Sequence, residues 1–108
     1  MERKKKPLEH TALLVLSLLK GQDLYGYQMI TELERRSDHT FQMKEGTLYP
    51  VLHGMEREGY VEAYEKAAPT GRMRKYYHLT RAGRAALTEE EKAWQEYSGA
   101  VNAVLHFA

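Results

Sequence analysis

Apolar residues along the chain recur at spacings that predict helices first and a hairpin later. From Leu8 to Leu19 they are dense enough for a largely buried first helix, with Gly21 closing it. From Asp23 to Arg36 the pattern is amphipathic. Tyr27, Ile30 and Leu33 fall on one side and Glu34, Arg35 and Arg36 on the other, with Asp23 placed to cap a second helix. Residues 37–44, SDHTFQMK, break the period and read as a turn or short extended piece. Leu48, Leu52 and Met55 then stand at i, i+4 and i+7, which predicts a third helix over 45–58. Pro50 is read as early enough in that helix to be tolerated, and Gly59 supplies the left-handed residue that ends it. Gly54 costs about 1 kcal/mol relative to alanine inside a helix, which predicts close approach of another backbone or of a ligand.

Beyond Gly59 the period changes to two. YVEAYEK and RMRKYYHLT flank AAPTG, the pattern of a hairpin with Pro69, Thr70 and Gly71 at its tip. Thr80 ends the second strand and can cap a fourth helix. In that helix Leu87, Trp94, Val101 and Ala108 are spaced by seven, and Tyr97 and Val104 follow Trp94 and Val101 by three, forming an a/d seam. Thr88-x-x-Glu91 fits a capping box, so the helix either runs on from Thr80 or restarts at Thr88.

With 108 residues, 43% of them hydrophobic and 29% charged, the chain has room for one domain with a modest core. The absence of cysteine excludes a disulfide framework and thiolate metal sites, and fits a reducing cytoplasm. No apolar run approaches the roughly 20 residues needed to span a bilayer. MERKKKP resembles the basic start of a signal peptide, but TALLVLSLL after it is short and lacks a small-residue cleavage site, so it reads as a core helix. The net charge of +1 says nothing of partners, whereas its distribution does. Residues 66–84 carry Lys66, Arg72, Arg74, Lys75, Arg81 and Arg84 with no acid among them, a contact surface or a solvated basic loop.

Three helices followed by a basic hairpin make a winged helix-turn-helix, an α+β and mostly α fold. The expected division is a basic arm over 1–7, the winged domain over 8–80 and a long C-terminal dimerisation helix over 81–108. In such proteins the second helix of the pair enters the major groove of double-stranded DNA. With Leu48 at the centre of the buried face, Gly46, Pro50, His53 and Arg57 point outward, with Thr47 and Tyr49 on the flanks. The candidate DNA contacts are therefore Lys44 just before the third helix, Thr47, Tyr49, Pro50 and His53 on it, and Arg72, Arg74 and Lys75 on the wing. Tyr25, Tyr27, Tyr60, Tyr64, Tyr76 and Tyr77 read as core and hairpin packing. The five histidines show no ligand-like pairing with one another or with acids, so no metal or cofactor is expected. No nucleophile–base pair or phosphate loop suggests an enzyme. A winged module that binds only protein, with an incidental basic hairpin, is the alternative.

EGTLYPVLHGMEREGYVEAY, GRMRKYYHLTRAGRAAL and, upstream, LYGYQMITEL together resemble the PadR-type transcriptional regulators, the phenolic-acid-repressor family. The resemblance covers roughly residues 8 to 88 and points to the compact subfamily with a single C-terminal helix. It implies a homodimeric repressor on a pseudo-palindromic operator, with Thr47, Tyr49 and Pro50 on the recognition helix and Gly71, Arg72, Arg74 and Lys75 on the wing. It also implies a dimer made by the last helix, through Leu87, Trp94, Tyr97, Val101, Val104 and Leu105. Paired tryptophans sandwich planar drugs in a multidrug-resistance repressor of this family. By that resemblance Trp94 would stack a small aromatic effector, with Tyr97 and Val101 beside it; the other reading of Trp94 is an interface anchor.

Overall fold

The computed structural model describes residues 10–107. The expected arm over 1–7, the start of the first helix at Leu8 and the last seam position, Ala108, lie outside them. The elements run α1 (His10–Leu18), β1 (Leu24–Tyr25), α2 (Gly26–Arg36), α3 (Glu45–Arg57), β2 (Val61–Ala67), β3 (Met73–Leu79) and α4 (Arg81–Leu105). The strands form one antiparallel sheet in the order β1-β3-β2. This is the expected winged helix-turn-helix with one addition, the two-residue β1.

That addition corrects the expected start of the second helix. Asp23 does not cap it. The chain pairs Leu24 with Tyr77 and Tyr25 with Tyr76 before turning into α2, and the Tyr25 N–H donates to the Gln28 side chain at 3.1 Å. Tyr27, expected on the buried side, is 66% exposed; Leu33 is buried as expected, and Met29 is buried beside it. The turn after α1 closes as expected, with Gly21 at φ +85°.

The core gathers Val15 and Leu16 of α1, Met29 and Leu33 of α2, Leu48, Leu52 and Met55 of α3, and Tyr77 and Leu79 of β3. Burying such side chains stabilises by about 1.5–3 kcal/mol each. The strand pairing decides which way the wing residues face. In register with Leu24, residues Val61, Ala63, Tyr77 and Leu79 turn toward the helices, so Glu62, Tyr64, Lys66, Arg74, Tyr76 and His78 share the outer face with Tyr25.

α4 is continuous from Arg81 and does not restart at Thr88, whose hydroxyl donates back to the Arg84 carbonyl at 3.0 Å. Its cap is Thr80, as expected. The Thr80 hydroxyl accepts from the Gly83 N–H at 3.0 Å and donates to the Gly59 carbonyl at 2.6 Å. A Cβ at Gly83 would collide with the Tyr60 carbonyl, so only glycine lets the helix start this close to β2. Leu87, expected on the dimer seam, is 2% exposed and lies in the chain's own core. The first two turns of α4 thus belong to the winged domain, and the exposed apolar stripe begins at Trp94.

Candidate nucleic-acid interface

The third helix forms because its apolar residues fit one stripe, and the remaining positions are what it offers to solvent. Leu48, Leu52 and Met55 are at most 4% exposed, whereas Gly46, Thr47, Pro50, His53 and Arg57 are all exposed. Lys44, the residue before the first turn, is exposed and has no acceptor to cap with, and no side chain caps α3. The N–H groups of that turn and the helix dipole favour an anion there.

Pro50 needs a correction. Counting from Glu45 it is the sixth residue of α3, beyond the first turn, so its missing N–H does remove one intrahelical bond, the one to the Gly46 carbonyl. That carbonyl belongs to an exposed residue, where water can serve it. Gly54 also departs from expectation, because a Cβ there would meet only the Arg57 guanidinium, at 3.9 Å. Among the described residues, no backbone outside its own helix approaches it.

Tyr49 is half-buried and packs against the core, with its ring lying over Gly26 at the start of α2. Its ring centroid is 6.4 Å from that of His53. Beneath it, the Tyr77 hydroxyl is buried with no hydrogen-bond partner among the described residues, and burial raises its pKa above the ordinary tyrosine value.

The wing turn is tight. The Gly71 N–H donates to the Ala68 carbonyl at 2.8 Å and the Ala68 N–H to the Arg72 carbonyl at 2.7 Å, with Gly71 at φ +87°. Arg72 is exposed at the turn. Arg74 and Lys75, grouped by sequence, point to opposite faces of β3. Lys75 lies on the helix side, with its ammonium 5.7 Å from the Tyr77 ring centroid. Arg74 lies on the outer side, with its guanidinium carbon 4.5 Å from the Tyr25 centroid.

The outer face holds more than the sequence suggested. Tyr25 meets Tyr76 edge-on at 5.4 Å, and Tyr76 stacks on Tyr64 at 5.7 Å and 16°. The Lys66 ammonium sits 5.7 Å from the Tyr76 centroid. Asp23 accepts from the Tyr64 hydroxyl at 2.6 Å and pairs with His78 Nδ1 at 2.8 Å. Burial alone would raise the Asp23 pKa, but the bonds from Tyr64 and His78 outweigh it and hold it below the ordinary value. The alternation of YVEAYEK and RMRKYYHLT could have put Tyr64, Tyr76, Lys66 and Arg74 on one side. The part of Tyr25 depends on β1, which is too short to leave a period.

A second feature lies between α1 and α4. A groove of about 480 Å³ is lined by His10, Leu13, Leu14 and Ser17 of α1, Phe41 of the α2–α3 loop, and Glu91, Trp94 and Gln95 of α4. The His10 ring stands edge-on to Trp94 at 5.1 Å, and Lys20 pairs with Glu91 at 3.5 Å. Sequence reading found Trp94 but not Phe41 or His10. Tyr97 is 6.1 Å from Trp94, while Val101, Val104 and Leu105 extend the stripe beyond the groove. Among the described residues, no cluster of His, Asp and Glu could hold a metal ion, and no helix is long and apolar enough to cross a membrane.

Comparison with known proteins agrees with this geometry. A transcriptional regulator of Mycobacterium tuberculosis is 38% identical over 82 residues, 76% of this chain and 73% of that one. The crystal structure of a PadR-like transcriptional regulator from Bacillus cereus superposes with a TM-score of 0.80 at 32% identity, over 91% of this chain and 93% of that one. A PadR family transcription regulator from Clostridium difficile gives 0.78 at 30% identity, over 90% and 99%. Residues 15–89 match the family described as the transcriptional regulator PadR-like family, and the chain therefore belongs to the PadR-like transcriptional regulators.

Proposed function

We propose that the chain is a homodimeric repressor that reads a pseudo-palindromic operator with α3 in the major groove and the wing on the backbone or minor groove. The observation that carries this reading is the division of labour on α3. Leu48, Leu52 and Met55 face the core, while Thr47, Pro50 and His53 lie outside it and stand in solvent. Thr47 and His53 reach base edges, the first turn and Lys44 meet phosphate, and Arg72 and Arg74 neutralise backbone charge. Tyr49 serves both sides, holding α3 against Gly26 and presenting its exposed edge to the duplex.

Dimerisation follows from the stripe on α4. Val104 is 78% exposed, Leu105 69% and Tyr97 64%, a continuous apolar face beyond the core that an isolated chain leaves in water. A second copy covers it and sets two α3 helices about one turn of DNA apart, roughly 34–36 Å. The groove at Trp94 receives a planar aromatic effector, which releases DNA because it favours one spacing of the two recognition helices over the other.

Selection of bound duplexes from a random pool tests the reading. Wild-type protein is expected to yield a pseudo-palindrome, and Thr47→Ala or His53→Ala to alter base preference within each half-site. Failure to retain any duplex at low salt would instead favour the protein-binding alternative.

A further inference from the structure

Lys66 and Arg74 are directly opposed across β2 and β3, on the outer face. Like charges in that relationship repel. Neither forms an ion pair among the described residues. Asp23, whose charge Lys66 feels, is already engaged by Tyr64 and His78. Each cation instead lies on a ring, Arg74 over Tyr25 and Lys66 over Tyr76. The rings brace each other edge-to-face, and Tyr76 rests on Tyr64, whose hydroxyl is tied to Asp23.

We propose that Tyr25 and Tyr76 are positioning residues, which hold Arg74 and Lys66 side by side as a two-cation seat for a phosphodiester of the duplex backbone. A tyrosine face attracts a cation without neutralising it. The rings therefore lower the cost of two adjacent positive charges while leaving both free to meet an anion. A carboxylate in the same place would have cancelled them. Holding the two side chains in one arrangement before binding also removes part of the ordering cost that flexible Lys and Arg side chains otherwise carry. Since Tyr25 is the residue that leads into α2, the seat also fixes the wing to the helix-turn-helix. The inference rests on the DNA-binding reading and adds to it Lys66, Tyr25 and Tyr76.

A double-mutant cycle on the selected operator tests it, using full-length protein and binding titrations across a salt series. Arg74→Ala and Lys66→Ala are each expected to lower the slope of log affinity against log salt by about one. Tyr25→Leu is expected to weaken binding about fivefold, Tyr25→Phe to restore it, and Tyr25→Leu to do nothing further in the Arg74→Ala protein. Equal losses from Tyr25→Leu in both backgrounds, or no loss in either, would overturn the proposal. The Tyr76→Leu and Lys66→Ala cycle repeats the test should Tyr25→Leu prove unstable, and additivity there counts equally against it. Wild-type protein that binds no duplex overturns this inference together with the reading beneath it, whereas wild-type binding with additive mutants overturns this inference alone.

Discussion

The hydroxyl end of Tyr49 occupies the space that a side chain on Gly26 would take. The first residue of α2 is thereby matched to the recognition helix through one ring. Gly26→Ala forces an overlap that Tyr49 must leave, and overpacking of this kind costs about 1–3 kcal/mol. The variant is expected to unfold at lower urea concentration than wild type, and Tyr49→Phe to recover part of the loss by removing the colliding oxygen. Denaturation curves of the four proteins check this; equal destabilisation with and without the Tyr49 hydroxyl would contradict it.

Acid should loosen the wing. The Asp23 pKa is depressed in the folded chain, so the stability it contributes is complete above the unfolded value, about 3.9, and is lost as pH falls through the folded value. Glu32, bound by Arg35 and Arg36 and lowered to about 2, adds its own loss as pH falls from its ordinary value toward that one. Melting temperature is expected to fall as pH drops from 5 to 2. Asp23→Asn should melt lower at pH 7 and show a shallower fall below about pH 4. A variant with the wild-type pH profile would remove Asp23 from the account.

Gly54 has room for a methyl group in this chain, and α3 would gain about 1 kcal/mol from alanine. Gly54→Ala is therefore expected to raise the melting temperature. If the glycine exists to let the duplex come close, the same variant should bind operator more weakly, and a paired melt and DNA titration reads both. Greater stability with undiminished binding would leave this position without a part in recognition.

Val101→Glu places a charge in the middle of the exposed α4 stripe, far from the winged core. Sedimentation at micromolar concentration is expected to show a shift from dimer to single chain, with the thermal signal of the winged domain retained. A wild-type protein that is already a single chain would remove the proposed dimer altogether.

The helices and the hairpin were legible because their apolar spacings are long enough to repeat. Leu48, Leu52 and Met55 placed α3, and Gly59 and Gly71, at φ +79° and +87°, closed the elements assigned to them. What escaped was tertiary. A two-residue strand has no period, so nothing in the sequence sets Tyr25 beside Tyr76, and the local pattern makes Asp23 a helix cap although its partners lie 41 and 55 residues away. The heptad spacing of Leu87 matches the seam, but spacing cannot tell which neighbour a stripe will meet, and Leu87 is buried in the chain's own core. Gly83 carried no warning of its contact with Tyr60, since only the fold brings β2 to the start of α4.

The unbroken run of α4 has a mechanical outcome. Twenty-five residues in one helix make a rod about 37 Å long, anchored at its near end by Thr80, Gly83 and Leu87. With no joint between anchor and tail, a tilt of ten degrees imposed at one end displaces the other by roughly 6 Å over that length. Whatever grips the tail therefore steers the reading head as one stiff body.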